Sequence, residues 1–352
     1  MTKIKLRVST LAALAALALG SAVAVARGQG GAAATPPPQR PAATPAPSPS
    51  QTQQQQSVAE PWALETPTGK LFGTLLLPKT STPYPVVLII AGSGPTDRNG
   101  NTPAIPGSNN AYKYLAEALA ARGIASLRYD KRGAGESAGA MPNEADLRFD
   151  NYIDDAVLWG RKLRADRRFK KLVVAGHSEG SLVGMVAAER LGADAYVSIA
   201  GPGTPIQQSI VAQMKGRLPP DLQARMEAII KSLSEGKTEA DVPAPLAAIF
   251  RPSAQPYLIS WFKYDPAKEI AKLGVPVLIV QGTHDLQISV EDAKLLAQAK
   301  PSAKLLLVEG MSHTLKDAPA EAAGQMPAYS DPSLPVVPVL VGALSDFIKS
   351  LK

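Results

Sequence analysis

Short apolar runs alternate with longer amphipathic stretches along most of the chain. The short runs are continuous in hydrophobicity, which is typical of strands buried on both faces of a parallel sheet. We predict strands at 71–77, 86–90, 125–129, 172–175, 195–199, 277–281 and 304–308, and helices at 111–121, 152–164, 180–191, 290–300 and 341–351. This alternation predicts the α/β class, with a mostly parallel, doubly wound sheet.

One segment interrupts the alternation between residues 200 and 277 and is too long for a crossover loop. It contains helix-like stretches at 206–215, 220–234 and 244–249, followed by the aromatic residues Tyr257, Trp261, Phe262 and Tyr264. We predict a helical cap at about 203–265, inserted over one end of the sheet. The alternative is a structural extension with no part in binding.

The first 58 residues have a different composition. Lys3, Lys5 and Arg7 precede an apolar stretch that ends in small residues near Ala26, the layout of a secretory signal peptide at 1–26. An uncleaved signal anchor is the alternative. Residues 27–58 are rich in Pro, Gln and Ala and predict a disordered tether, so the folded domain is expected at 59–352. We therefore expect a bacterial protein that is secreted or periplasmic, with no stable membrane insertion after cleavage.

Charge and composition narrow the function classes. The 352 residues carry a formal net charge of +7. Five basic residues and no acidic ones precede residue 59, so the body is nearly neutral and predicts no nucleic-acid partner. Cysteine is absent, which excludes disulfides and a thiol nucleophile. The three histidines have no metal-ligand spacing, so we predict neither metal nor cofactor. No pattern predicts the oligomeric state.

The pentapeptide Gly176-His177-Ser178-Glu179-Gly180 lies between a predicted strand and a predicted helix. G-x-S-x-G in this context is typical of a nucleophile elbow, in which Ser178 is the nucleophile. The helix that follows begins at the serine, so the backbone N–H of Glu179 is a candidate oxyanion donor. The alternative is a serine packed in a tight turn of a flavodoxin-like protein.

An acid and a base follow at the same predicted sheet edge. Asp285 comes just after the strand at 277–281, and His313 lies on the loop after the strand at 304–308. The order Ser178, Asp285, His313 is that of an α/β-hydrolase triad, in which His313 takes the serine proton and Asp285 supports the imidazole. We interpret His177 as a pocket or packing residue. His284 as the base, and Asp130, Asp154 or Asp155 as the acid, are less favoured.

A second oxyanion donor is expected on the loop after the strand at 86–90. Gly92 and Gly94 there allow the backbone to approach a substrate carbonyl closely. We predict that the Ser93 amide is this second donor, with the Gly94 amide as the alternative.

Two further segments carry a family resemblance. The run Asp130-Lys131-Arg132-Gly133-Ala134-Gly135-Glu136-Ser137 is similar to the D-x-R-G-x-G-x-S loop of esterases and serine-aminopeptidase-like hydrolases. Residues 91–101 resemble the oxyanion loop of bacterial EstD-like carboxylesterases, although Ala91 replaces the histidine found in many relatives. The resemblance covers about residues 60–350 and implies an α/β-hydrolase fold with activity on short-acyl esters. It suggests that Arg98 and Arg132 structure loops or, alternatively, bind a substrate carboxylate.

The sequence thus predicts a secreted serine hydrolase, a carboxylesterase that cleaves small or medium acyl esters through an acyl-enzyme on Ser178. Its expected partner is a small-molecule ester. One alternative is an aminopeptidase or amidase, in which Glu235, Glu239 or Asp241 would hold a free amine. The other is a non-catalytic hydrolase-like binding protein.

Overall fold

The computed structural model describes residues 57–351, whose strands form one mixed sheet. The strands are β1 (Ser57–Thr66), β2 (Gly69–Pro78), β3 (Tyr84–Ile90), β4 (Ala125–Tyr129), β5 (Phe169–His177), β6 (Ala195–Ile199), β7 (Val277–Gly282) and β8 (Lys304–Val308). They lie in the order β1-β2-β4-β3-β5-β6-β7-β8. The β1–β2 and β2–β4 pairs are antiparallel and the other pairs are parallel, which confirms the predicted α/β class with a mostly parallel sheet.

Helices follow the strands in alternation. They are α1 (Ala111–Ala120), α2 (Phe149–Ala165), α3 (Glu179–Leu191), α4 (Ile206–Met214), α5 (Pro220–Ser234), α6 (Ala247–Phe250), α7 (Gln255–Trp261), α8 (Pro266–Ala271), α9 (Val290–Ala299), α10 (Met326–Ser330) and α11 (Pro338–Lys349). Short 3₁₀ turns occupy Gly135–Ala140, Glu144–Asp146, Ala244–Leu246, Pro252–Ala254 and Ala322–Gly324. Within residues 57–351, no helix has the length and apolar content needed to cross a bilayer.

The inner strands of the sheet are buried on both faces, which explains their continuous apolar runs in the sequence, whereas the edge strand β8 is mostly exposed. In β3, Val86, Leu88 and Ile90 belong to one hydrophobic cluster, whereas Val87 and Ile89 belong to the other. The first cluster includes side chains of α2, α3 and α9, and the second includes those of α1 and α11. Because side chains alternate between the faces of a strand, a strand covered on both sides needs apolar residues at every position.

Strand β1 is the one strand of the sheet that the hydrophobic pattern did not predict. Glu60, Pro61 and Glu65 interrupt its apolar positions, and the strand lies at the edge of the sheet, only partly buried. Its ladder with β2 holds it in place. Strand β1 begins at Ser57, two residues before the predicted start of the folded domain at residue 59. The predicted signal peptide and the rest of the tether lie outside the described residues.

Between β6 and β7 the chain forms helices α4 to α8 in place of a single crossover helix. An aromatic cluster attaches this insertion to α2. The Phe149 ring stacks on Trp261, with ring centroids 5.3 Å apart and planes 5° apart, and also contacts Tyr257 and Tyr264. The insertion is thus packed against the same core as the sheet, next to the N-terminal end of α3.

Candidate active site

Ser178 lies in a sharp turn between β5, which ends at His177, and α3, which begins at Glu179. Its φ of 55° and ψ of −125° lie in a region that non-glycine residues rarely occupy. The Ser178 side chain does not cap α3, so its hydroxyl remains available to a reactant.

The two glycines of the elbow allow backbone segments to approach each other closely. A Cβ atom on Gly176 would lie 2.0 Å from the Gly180 carbonyl oxygen, and a Cβ on Gly180 would lie 2.4 Å from the carbonyl oxygen of Ala91. Neither distance is compatible with a side chain. The requirement at both positions is space, because neither glycine has a positive φ.

Asp285 and His313 are in direct contact. Nδ1 of His313 lies 2.8 Å from Oδ2 of Asp285, and the amides of Gln287 and Ile288 donate to Oδ1 at 2.8 and 3.0 Å. Burial alone would raise the pKa of Asp285, but His313 and these donors lower it below its usual value. The ionised carboxylate holds the proton of the imidazole on Nδ1, which leaves Nε2 free to accept one.

Two cavities meet at Ser178. One is lined by Ser178, His313, Tyr112 and Thr314, and the other is lined by Ser178, Ile206, Trp261 and Ile288. Ser93 and Gln287 border both cavities. The structure thus brings Ser178 and His313 to the wall of one cavity, with Asp285 behind His313. The insertion between β6 and β7 contributes to the other.

The predicted oxyanion segments also lie at these cavities. A Cβ atom on Gly92 would lie 3.0 Å from Cβ of Ser178, so the loop after β3 passes beside the elbow. Within residues 57–351 the Ser93 amide donates no hydrogen bond, and Ser93 borders both cavities, whereas Gly94 borders neither. Glu179 is the first residue of α3, where a backbone N–H has no partner within the helix.

His177 joins the two loops that flank Ser178. Its Nε2 lies 2.8 Å from the His313 carbonyl oxygen, and its Nδ1 lies 2.7 Å from the Tyr112 hydroxyl. A carbonyl can only accept, so Nε2 carries the proton and Nδ1 accepts from Tyr112. The Tyr112 hydroxyl in turn accepts the Gly92 amide proton at 3.1 Å. The sequence indicated a packing role for His177, but no sequence signal pointed to Tyr112, which lies on α1.

The D-x-R-G-x-G-x-S segment forms a network of ion pairs. Arg98 pairs with Asp130 and Glu136, and Nε of Arg132 donates to Asp155 at 2.8 Å. Both guanidinium groups are therefore paired with carboxylates of this chain, as expected for residues that structure loops. Asp130 and Asp155, two of the less favoured candidates for the triad acid, are therefore bound to these arginines and not to a histidine.

The remaining candidates for the triad acid and base, Asp154 and His284, lie away from Ser178. Asp154 pairs with Arg190 on the surface, and Nδ1 of His284 bonds the Ala318 carbonyl oxygen at 2.6 Å. His284 borders neither cavity at Ser178. In the part of the chain that the structure describes, no group of His, Asp and Glu side chains has an arrangement that could hold a metal ion.

A second buried ion pair lies beside the elbow, and the sequence did not single it out. Nζ of Lys131 is 2.7 Å from Oε1 of Glu179, and the other carboxylate oxygen of Glu179 accepts a hydrogen bond from the Tyr257 hydroxyl at 2.9 Å. The side chains of Lys131 and Glu179 are only 3% and 1% exposed. A buried pair of this kind is not visible in local sequence patterns, because its members come from separate elements.

The fold, the elbow and the Asp285–His313 pair define this protein as an α/β-hydrolase. A family described as serine aminopeptidase, S33, matches residues 107–317, and the chain belongs to it. The predicted membership of the α/β-hydrolase superfamily is thereby confirmed. Esterase EstD of Thermotoga maritima is 27% identical over 246 residues, which are 69% of this chain. The chain spans 57% of the length of that relative.

Solved structures share the fold at low sequence identity. Est1E from Butyrivibrio proteoclasticus is 18% identical, with a TM-score of 0.54 over 83% of this chain and 98% of its own. A Pyrococcus furiosus esterase is 15% identical, with a TM-score of 0.53 over 92% of this chain and 99% of its own. An acylaminoacyl peptidase of Pyrococcus horikoshii is 11% identical, with a TM-score of 0.54 over 86% of this chain and 42% of its own. Esterases and a peptidase share this fold, so the fold does not decide the activity.

Burial of His177 makes the stability of the protein depend on pH. Desolvation, together with the neighbouring His313, lowers the pKa of His177 to about 3. The unfolded chain takes up a proton on this residue below about pH 6.5 while the folded chain does not, so folding weakens as the pH falls. Between pH 7 and pH 5 we expect His177 to contribute a loss of about 2 kcal/mol.

Urea unfolding of the wild type and of His177→Gln at both pH values measures this contribution. The variant should lose less stability than the wild type on acidification, by about that amount. Equal losses in the two proteins would show that His177 is protonated in the folded state.

Proposed function

We propose that this protein is a serine carboxylesterase that acts through an acyl-enzyme on Ser178. The observation that carries the proposal is the contact of Asp285 with His313, which borders the same cavity as Ser178. A hydroxyl at a strained turn, an imidazole and a buried carboxylate are the three groups that acyl transfer requires.

The reaction follows from the protonation state of His313. Its Nε2 removes the proton from the Ser178 hydroxyl as the oxygen attacks the ester carbonyl carbon. Collapse of the tetrahedral intermediate breaks the bond to the alcohol oxygen, which takes the proton from Nε2 and leaves. Water then attacks the acyl-enzyme with the same base, and the products are the carboxylic acid and free Ser178.

The negative oxygen of the intermediate needs donors on the side opposite the base. We propose the Ser93 and Glu179 amides for this role. One lies on the loop beside Ser178 and the other at the N-terminus of α3, where the helix dipole favours negative charge.

Charge at the cavities favours a neutral ester over an aminoacyl substrate. Within residues 57–351, Glu179 is the one Asp or Glu side chain that borders either cavity, and Lys131 neutralises its charge. Glu235 and Glu239 pair with Lys237 and Arg225, and like Asp241 they border neither cavity. Among the residues that the structure describes, no unpaired carboxylate borders either cavity to hold a substrate ammonium. The two cavities that meet at Ser178 offer separate places for the acyl and alcohol groups of an ester.

Substrate preference tests the proposal against the aminopeptidase alternative. We expect p-nitrophenyl esters of short and medium acids to be cleaved with kcat/KM at least about 10²-fold above that of matched aminoacyl p-nitroanilides. A preference for the anilides would indicate an aminopeptidase. The assay uses acyl groups of graded chain length, so that it also measures the preferred size of the acyl group.

Labelling with a fluorophosphonate separates an enzyme from a non-catalytic binding protein. The wild type should be labelled at Ser178, and Ser178→Ala should not be labelled. In ester hydrolysis we expect kcat to fall at least about 10⁴-fold in Ser178→Ala and about 10³-fold to 10⁴-fold in Asp285→Asn, which leaves the His313 tautomer unsupported. Glu235→Gln is a surface control and should keep the wild-type rate. A folded wild type that resists the label would favour the binding protein.

We also propose that the enzyme acts outside the cytoplasm, secreted or in the periplasm. The basis is the sequence of residues 1–26, with its basic start, apolar stretch and small residues before Arg27. N-terminal sequencing of the protein recovered from expressing bacteria should give Arg27 as the first residue. Recovery of the intact leader on membranes would instead indicate an uncleaved anchor.

A further inference from the structure

Lys131 lies on the loop that follows β4, and its ammonium group is enclosed by protein. It donates to Oε1 of Glu179 at 2.7 Å and to the Gly92 carbonyl oxygen at 3.0 Å, and it lies 3.9 Å from the centroid of the Tyr152 ring. A lysine buried to this extent needs such compensation, because removing a charge from water costs several kcal/mol. Neither Lys131 nor the carboxylate of Glu179 takes part in the chemistry described above.

The contact with Gly92 has a geometric consequence. The Gly92 carbonyl and the Ser93 N–H belong to the same planar trans peptide, so they point in opposite directions. When Lys131 holds the carbonyl, the Ser93 N–H must point away from Lys131. The preceding peptide is held as well, because the Gly92 amide donates to the Tyr112 hydroxyl at 3.1 Å.

The contact with Glu179 adds a second constraint. The Glu179 amide is the other proposed oxyanion donor, and the side chain of the same residue binds Lys131. One ammonium group therefore joins the loop that carries Ser93 to the helix N-terminus that carries the Glu179 amide. Tyr257, from the insertion, completes the arrangement by donating to Oε2 of Glu179 at 2.9 Å. Burial raises the pKa of Tyr257 well above its usual value, so the hydroxyl keeps its proton.

We propose that Lys131, paired with Glu179, is a positioning residue that sets the distance and direction of the two oxyanion amides. This inference rests on the proposed esterase function and goes beyond it. Lys131 touches neither substrate nor the reacting atoms, and it acts through the Gly92–Ser93 peptide and the first turn of α3. Its effect should therefore appear in the stabilisation of the tetrahedral intermediate rather than in substrate binding.

The neighbouring Arg132–Asp155 pair offers a matched control. It is also buried, with side chains 8% and 1% exposed; Arg132 lies on the same loop as Lys131, and Asp155 lies on α2. It bonds Thr68 and the Ala140 carbonyl oxygen but contacts neither Gly92 nor Glu179. A buried ion pair contributes little net stability when both partners are replaced together. Double variants that replace both partners of one pair or of the other should therefore differ more in catalytic rate than in stability.

The test compares Lys131→Met/Glu179→Gln with Arg132→Met/Asp155→Asn in the full chain. For the first variant we expect kcat for a p-nitrophenyl ester to fall about 10²-fold while KM changes less than about threefold. The inhibition constant of a trifluoromethyl ketone, which forms a tetrahedral adduct on the serine, should rise by a similar factor. The control should keep kcat within about threefold, and thermal unfolding of both is measured alongside.

Each outcome decides the proposal. It is overturned if the first variant keeps kcat within about threefold, or if the control loses as much kcat as the first variant does. It is also overturned if KM rises instead of kcat falling. Should the Met variant not fold, Lys131→Gln/Glu179→Gln replaces it with the same expected result, since the shorter amide does not reach the Gly92 carbonyl. A wild type that neither cleaves esters nor reacts with fluorophosphonate defeats the proposed function itself, and the role of Lys131 with it.

Discussion

The close approach of β3, β5 and the start of α3 is the constraint on which the site depends. The backbone of Gly180 contacts the carbonyl oxygens of Ile90 and Ala91, and Gly176 contacts Gly180, at distances that leave no room for a side chain. This packing presents Ser178 on a strained turn and brings the loop after β3 alongside it. The strain is maintained because the surrounding strands are fully buried on both faces and cannot move apart cheaply.

Around that contact, buried polar groups form two chains that meet at Gly92. One runs from the Gly92 amide through Tyr112 and His177 to the His313 carbonyl. The other runs from the Gly92 carbonyl through Lys131 and Glu179 to Tyr257. Because an unpaired polar group would be costly in this interior, both chains restrict the positions of the loops they join. The two loops that carry the base and an oxyanion donor are thereby linked.

Several features of the site followed from local sequence patterns. The strand before Ser178, the glycines beside it and the helix after it are consecutive in the chain, so their geometry is readable from a few residues. Asp285 and His313 could be predicted because each follows an apolar run that predicts a strand, and parallel strands end at one edge of the sheet. In contrast, β1 has no apolar pattern of its own, and only its pairing with β2 makes it a strand.

The sequence by itself determined the α/β class and the mostly parallel sheet. It also identified Ser178, Asp285 and His313 as the candidate catalytic triad. These predictions depend on the periodicity of apolar residues and on the order of the elements, and both can be read directly from the sequence. Only the tertiary structure decided that Lys131 faces Glu179 and that Tyr112 reaches His177. Those partners lie 48 and 65 positions apart and belong to different elements. Their pairing arises from how the elements pack, and no local pattern of polar and apolar residues encodes it.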